Sequence, residues 1–119
     1  MKIKEKNYQK GRDGEDIAKE FLINKGYELV EANFENKIGE IDLIMIDKEW
    51  LVFIEVKYKS DDKFGLPEEM IGKNKLFQIR RVAESYLMFN AKMRHKFEKY
   101  RIDAVCILGK EIKYYKNLI

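Results

Sequence analysis

Apolar positions along this chain follow two periods, and the switches between them divide it into elements. In GRDGEDIAKEFLINKG, Ile17, Ala18, Phe21 and Leu22 stand at helical spacing. That predicts a helix beginning between Asn7 and Asp13 and closing at Gly26, which follows Lys25 as a C′ glycine. YELVEANF reads as a short strand. Two strongly apolar stretches follow at 38–46 and 51–58, and a hairpin is their simplest connection. After a polar loop, Pro67 with Glu68 and Glu69 opens a second helix, since proline and acids suit a first turn. Its Ile71, Ile79, Val82, Ala83, Tyr86 and Leu87 share a face, and a basic, less regular segment runs on to about Tyr100. RIDAVCIL and EIKYY close the chain as two strands joined at Gly109 and Lys110, a tight hairpin. The predicted order is α-β-β-β-α-β-β, an α/β fold.

Within the first hairpin the apolar pattern is broken by charge. A turn centred between Lys48 and Glu49 pairs Ile46 with Leu51, Ile44 with Phe53, Asp42 with Glu55 and Glu40 with Lys57. Side chains alternate along a strand, so these pairs share one face, while Ile41/Val56, Leu43/Ile54 and Met45/Val52 fill the other. The first face is apolar near the turn and charged at its open end. Opposed carboxylates repel, and a shared proton, a basic side chain or a divalent cation relieves the repulsion. Lys57 supplies part of the positive charge. Mg2+ (or Mn2+) also suits such a group, because a hard cation takes carboxylate and carbonyl oxygens and keeps waters that meet phosphates. Glu15, three residues before Ala18 and seven before Leu22, lies on or beside the core-facing stripe of the first helix and can look toward the same cleft. Gly11 and Gly14 permit close approach to a ligand, or simply mark a helix boundary. The plainer alternative is a solvated sheet end in which Glu55 and Lys57 form an ion pair worth about 0–1 kcal/mol.

Composition narrows the picture. The 119 residues, 45% hydrophobic, fit one domain spanning 1–119, with no repeat and no Pro/Gly/Ser linker. The single Cys106 fits a reducing, cytoplasmic compartment. No apolar run is long enough for a membrane helix, and the N-terminus lacks a signal peptide's apolar core. Net charge is only +3, yet residues 72–101 alone carry +7, with nine bases against two acids. Such asymmetry fits a nucleic-acid-binding face, with Lys73, Lys75, Arg80 and Arg81 as candidates, although a solvated helix face reads the same way. Lys75 falls on the apolar stripe and should reach the cleft or its rim. Arg101 and Asp103 are expected to pair as support for the sheet edge. His95, in an expected loop, is given no catalytic part. Tyr58, Phe64 and Phe77 can stack on unpaired bases, with core packing the commoner use.

Asp42 together with Glu55-Val56-Lys57 resembles the PD-(D/E)XK nuclease superfamily. More narrowly, GRDGEDIAKEFLINKGYELVEANF, GEIDLI, FIEVKYK, the IGKNK before QIRRVAESYL, and RIDAV look like the YraN family of small predicted endonucleases related to archaeal Holliday-junction resolvases. The likeness spans nearly the whole chain; Tyr58 and Lys59 stand where that family usually has Thr and Arg. The resemblance implies a restriction-endonuclease-like α-β-β-β-α-β core, a mixed central sheet flanked by helices. It implies a Mg2+-dependent endonuclease on DNA, branched or structured DNA included. Asp42, Glu55 and the main-chain carbonyl of Val56 would bind the metal, Lys57 would orient or deprotonate water and stabilise charge, Glu15 would complete the shell, and Glu40 would support it. A resolvase-like cut of two strands needs two sites and hence a homodimer, for which the edge near Ile112 and Tyr115 is a candidate surface. The rival readings are a nucleic-acid-binding module without turnover and an accessory factor in DNA repair or uptake.

Overall fold

A computed structural model describes residues 14–59 and 71–118. Helix α1 covers 14–24 and closes as its sequence predicts. Gly26 adopts φ 98°, a region that L side chains rarely enter. Its N–H thereby reaches the Ile23 carbonyl at 2.9 Å, and the Tyr27 N–H reaches that of Leu22 at 3.1 Å, a Schellman closure.

Strands β1 (Glu28–Glu35), β2 (Glu40–Asp47) and β3 (Trp50–Lys59) form an antiparallel meander. Helices α2 (Lys73–Met88) and α3 (Ala91–Lys96) then carry the chain to β4 (Lys99–Leu108), which is parallel to β3, and β5 (Glu111–Tyr115) folds back against β4. The sheet order β1-β2-β3-β4-β5 is mixed, and the whole is compatible with a restriction-endonuclease-like core. The central pair β3 and β4 is buried over most of its length, as parallel strands covered on both faces should be.

Two apolar clusters cover the two faces of the sheet. On one, Ile79, Val82, Ala83 and Tyr86 of α2 pack on Ile44, Leu51, Phe53 and Ile102. On the other, Ala18 and Leu22 of α1 pack on Leu43, Met45, Val52, Ile54, Val105 and Ile107. Each fully buried Leu, Ile or Phe contributes roughly 1.5–3 kcal/mol, so the sheet forms a stiff platform on which charged side chains can be held.

Four local expectations change. Helix α2 begins at Lys73 with Gly72 as its N-cap, so Ile71 precedes the helix; glycine inside a helix costs about 1 kcal/mol, which favours a start beyond it. Pro67, Glu68 and Glu69 lie outside the described residues. The basic segment is not irregular: Asn90 Oδ1 accepts from Met93 N at 3.2 Å and caps α3, which contains His95. Ile17 is exposed, so the core stripe of α1 is narrower than its spacing predicts. The strict alternation of β2 also fails: Ile41 joins the α2-side cluster while Leu43 joins the other. Among the described residues no helix is long and apolar enough to cross a membrane.

Candidate functional site

The break in β2 centres on Asp42. The β2–β3 ladder has the predicted register from Asp47↔Trp50 to Leu43↔Ile54 and stops there, so Asp42/Glu55 and Glu40/Lys57 are not ladder pairs. Instead Asp42 Oδ2 accepts from the Val56 main-chain N at 2.7 Å. A carboxylate has taken the N–H next along β3 from the residue expected opposite it, which removes the head-on opposition of two acids. Glu55 remains close enough to raise the Asp42 pKa. Val56 thus enters the site through its N–H, a group the sequence did not point to.

The other side of Asp42 is irregular too. In the β1–β2 register Ala32 faces Leu43 and Phe34 faces Ile41, so Asn33 stands across from Asp42, and Asn33 is bent into the left-handed region at φ 57°. Asparagine tolerates that conformation better than most residues. Its amide satisfies its surroundings only with the nitrogen toward Glu15, donating to Oε1 at 2.6 Å and Oε2 at 3.2 Å. Asn33 therefore steers the first-helix carboxylate, and no sequence signal singled it out.

Carboxylate oxygens of Glu15, Glu40 and Asp42 lie within 4.8 Å of one another. Glu40 is thus a full member of this group rather than a peripheral support. Glu55 stands behind it, 4% exposed, with Lys57 Nζ and Lys75 Nζ each 3.3 Å from its Oε2. Burial, the hydrogen bond and charge of Glu55, and the charge of Glu15 push the Asp42 carboxyl up to about 8, although the Val56 N–H acts the other way. At neutral pH the Asp42 carboxyl therefore keeps its proton. Among the described residues, four carboxyls stand against two ammoniums. Their oxygen-only donors suit a hard divalent ion.

The family model for the uncharacterised protein family UPF0102 matches residues 14–107. The chain belongs to that family. A UPF0102 protein of Persephonella marina is 39% identical over 108 residues, 91% of this chain and 90% of the relative. One of Fusobacterium nucleatum is 34% identical over 109 residues, 92% and 89% of the two chains. One of Aliivibrio fischeri is 37% identical over 121 residues, 100% of this chain and 98% of its own.

In this UPF0102 chain the remaining predicted residues sort into inward and outward ones. Lys75, expected at the cleft, is there. Lys73, Arg80 and Arg81 are exposed on the solvent side of α2, and Arg80 pairs loosely with Glu84 at 3.9 Å. Gln78 Nε2 donates to the Ile38 carbonyl at 2.9 Å, tying α2 to the turn just before Glu40. The close approach at Gly14 serves packing, since a Cβ there would stand 3.1 Å from Tyr58 Cβ; Gly11 and Phe64 fall outside the described residues. Tyr58 packs against the α1-side core, as its commoner use predicts.

A second charged cluster is built around β4, where Asp103 faces Ile54 of β3. Arg101 Nε donates to Asp103 Oδ1 and Oδ2 at 3.1 and 3.0 Å, and its Nη2 donates to Asp47 Oδ2 at 2.9 Å and Tyr27 OH at 3.0 Å. Tyr114 OH donates to Asp103 Oδ2 at 2.5 Å, and Asn117 N donates to Oδ1 at 2.8 Å. The predicted Arg101–Asp103 pair exists, but on an interior strand between β3 and β5 rather than at the sheet edge.

Proposed function

We propose that the protein is a Mg2+- or Mn2+-dependent nuclease that hydrolyses phosphodiester bonds in DNA, with branched or otherwise structured DNA as its substrate class. The observation that carries this reading is Asp42, held by Val56 N–H and within 4.8 Å of Glu15 and Glu40. The resemblance to the PD-(D/E)XK nucleases adds the expectation of a metal-dependent phosphodiesterase.

Glu15, Glu40 and Asp42 would hold the ion, which when bound supplies Lewis-acid polarisation and a more acidic water. Glu55 keeps the Lys57 ammonium within 3.3 Å, on the rim of the same cleft. Lys57 would orient the attacking water and stabilise charge developing on the phosphoryl oxygens, a task for a fixed cation in a partly desolvated site. Lys75, on the same carboxylate oxygen at 3.3 Å, offers a second ammonium to the phosphate. Binding the ion and losing the Asp42 proton are one event, so affinity should rise with pH.

The competing reading is a nucleic-acid-binding module without turnover, favoured by the fact that Glu55 already bears two lysines. Purified protein incubated with labelled linear, flapped and four-way-junction DNA, with and without Mg2+ or Mn2+, separates the two. The nuclease reading requires metal-dependent cutting that Asp42→Asn reduces by at least about 10²-fold. Binding without cutting leaves the module, and neither binding nor cutting leaves an accessory role.

A further inference from the structure

We infer that Phe77 is a stacking platform for an unpaired nucleobase, so that the outer face of α2 docks single-stranded nucleic acid beside the acid cluster; this deepens the nuclease reading and rests on it. Phe77 is 62% exposed and lies on the opposite side of α2 from the buried stripe of Ile79, Val82, Ala83 and Tyr86. It is not the core residue its side chain would ordinarily make. Phenylalanine on a solvated helix face offers neither good helix propensity nor burial, so the position is poorly explained by folding.

Its neighbours indicate the occupant. Lys73 four residues before, Arg80 three after and Arg81 four after share its face of the helix, and Lys73 to Arg81 contains no acid. Lys73 and Arg81 enter no ion pair among the described residues, and the exposed Arg80–Glu84 contact at 3.9 Å is too weak to hold Arg80 from a phosphate. A protein partner favours a contiguous apolar patch with charge depleted from its centre. An aromatic ring flanked on its own face of the helix by three cations, with one acid, Glu84, two turns on, instead matches a base with phosphates on either side. The base must be unpaired, because in a duplex its faces are already stacked.

The placement ties this surface to the site. On its inner side the same stretch of α2 sends Lys75 to Glu55 at 3.3 Å and Gln78 to the Ile38 carbonyl at 2.9 Å. One helix diameter, about 10 Å, separates the two surfaces. A substrate with a single-stranded arm is thereby distinguished from blunt duplex.

The test uses fluorescence anisotropy in EDTA with a labelled single strand of about a dozen nucleotides and a blunt duplex of the same length. Phe77→Ala is expected to weaken single-strand binding about tenfold and duplex binding by less than about twofold. Phe77→Trp should restore affinity, with its emission quenched by the single strand. Arg81→Ala should weaken both ligands alike and lower the salt slope by about one. Equal losses on both ligands for Phe77→Ala, or none, overturn the inference. So does a clear fall in Tm, which would show a packed ring, or a changed sedimentation coefficient, which would show a second copy on this face. Cleavage of flapped DNA is read separately. Cutting without selective loss in Phe77→Ala defeats the stacking inference alone, and selective loss without cutting defeats the nuclease reading alone.

Discussion

The sheet carries two charged clusters, one around Asp42 on β2 and one around Arg101 and Asp103 on β4, and they solve opposite problems. Around Arg101 the charges have partners: one guanidinium, 5% exposed, faces Asp103, Asp47 and Tyr27, while Asp103 gathers two further donors, Tyr114 and Asn117. Around Asp42 the acids outnumber the lysines and one carboxyl is forced to keep a proton. Among the described residues the first cluster pairs its charges, whereas the second gathers carboxyls, which is why the proposed metal site is put there.

Breaking each cluster should therefore move stability in opposite directions. Asp103→Ala strands a buried guanidinium, for which a loss of about 3 kcal/mol is expected, at the lower end of the range for a broken buried pair because Asp47 remains 2.9 Å from Arg101. Urea denaturation reads it as a lower midpoint. Asp42→Asn removes the cost of taking up a proton on folding and should raise the stability of the metal-free protein at neutral pH by on the order of 1 kcal/mol. If both substitutions destabilise alike, the acid cluster is an ordinary structural network and the contrast is lost.

Acidity sharpens the same contrast. The Asp42 carboxyl is raised from 3.8 to about 8 in the fold, so the protonated form is the one the folded state favours. Its contribution is fully present below about pH 4 and is lost as pH rises through about 8. The unfolding midpoint of wild type minus that of Asp42→Asn should accordingly fall between pH 5 and pH 8. Adding Mg2+ should remove most of that fall, since the cation replaces the proton. Around Arg101 burial lowers the guanidinium's pKa, but Tyr114, Asp47 and Asp103 raise it by more, so the guanidinium stays charged throughout this window.

A smaller effect is expected at Tyr114. Its hydroxyl donates to the fully buried Asp103 and lies 2.8 Å from Tyr27 OH. Tyr114→Phe should cost about 1.5–3 kcal/mol, the range for a hydrogen bond to a charged group, and leave DNA cleavage by the folded protein unchanged. A proportionate loss of cleavage would show the two clusters to be coupled.

How much of this was legible in the sequence follows from what each feature depends on. The strands, the two hairpin turns and the Gly26 closure rest on local patterns and were readable. So was the convergence of Glu15, Asp42, Glu55, Lys57 and Lys75, because alternation and helical spacing carry side chains to predictable faces. The pairing of Asp42 with Glu55 across the ladder was not, since strict alternation takes no account of a carboxylate that prefers the Val56 N–H. Asn33 and Glu40 were under-read for the same reason: the distortion that brings them in is a property of three strands together. Phe77 could be read as stacking or core, with core the commoner use; the phase of α2, fixed by Ile79, Val82, Ala83 and Tyr86, turns it outward.

Lys75 gives the smallest effect and the most discriminating one. Its side chain is 36% exposed, so its ion pair with Glu55 at 3.3 Å is screened by solvent and should contribute no more than about 1 kcal/mol to stability. Lys75→Met should accordingly leave the denaturation midpoint almost unchanged. Removing one of two ammoniums from Glu55 deepens the negative charge beside Asp42, so the Asp42 proton should be held more tightly and the pH at which Mg2+ binds should move upward. A midpoint for metal binding, followed by calorimetry across pH 6 to 9, reads that shift directly. If Lys75→Met destabilises the fold strongly and leaves the binding pH where it was, Lys75 belongs with Arg101 as a structural cation, and the division between a charge-paired cluster and a carboxyl-rich one does not hold.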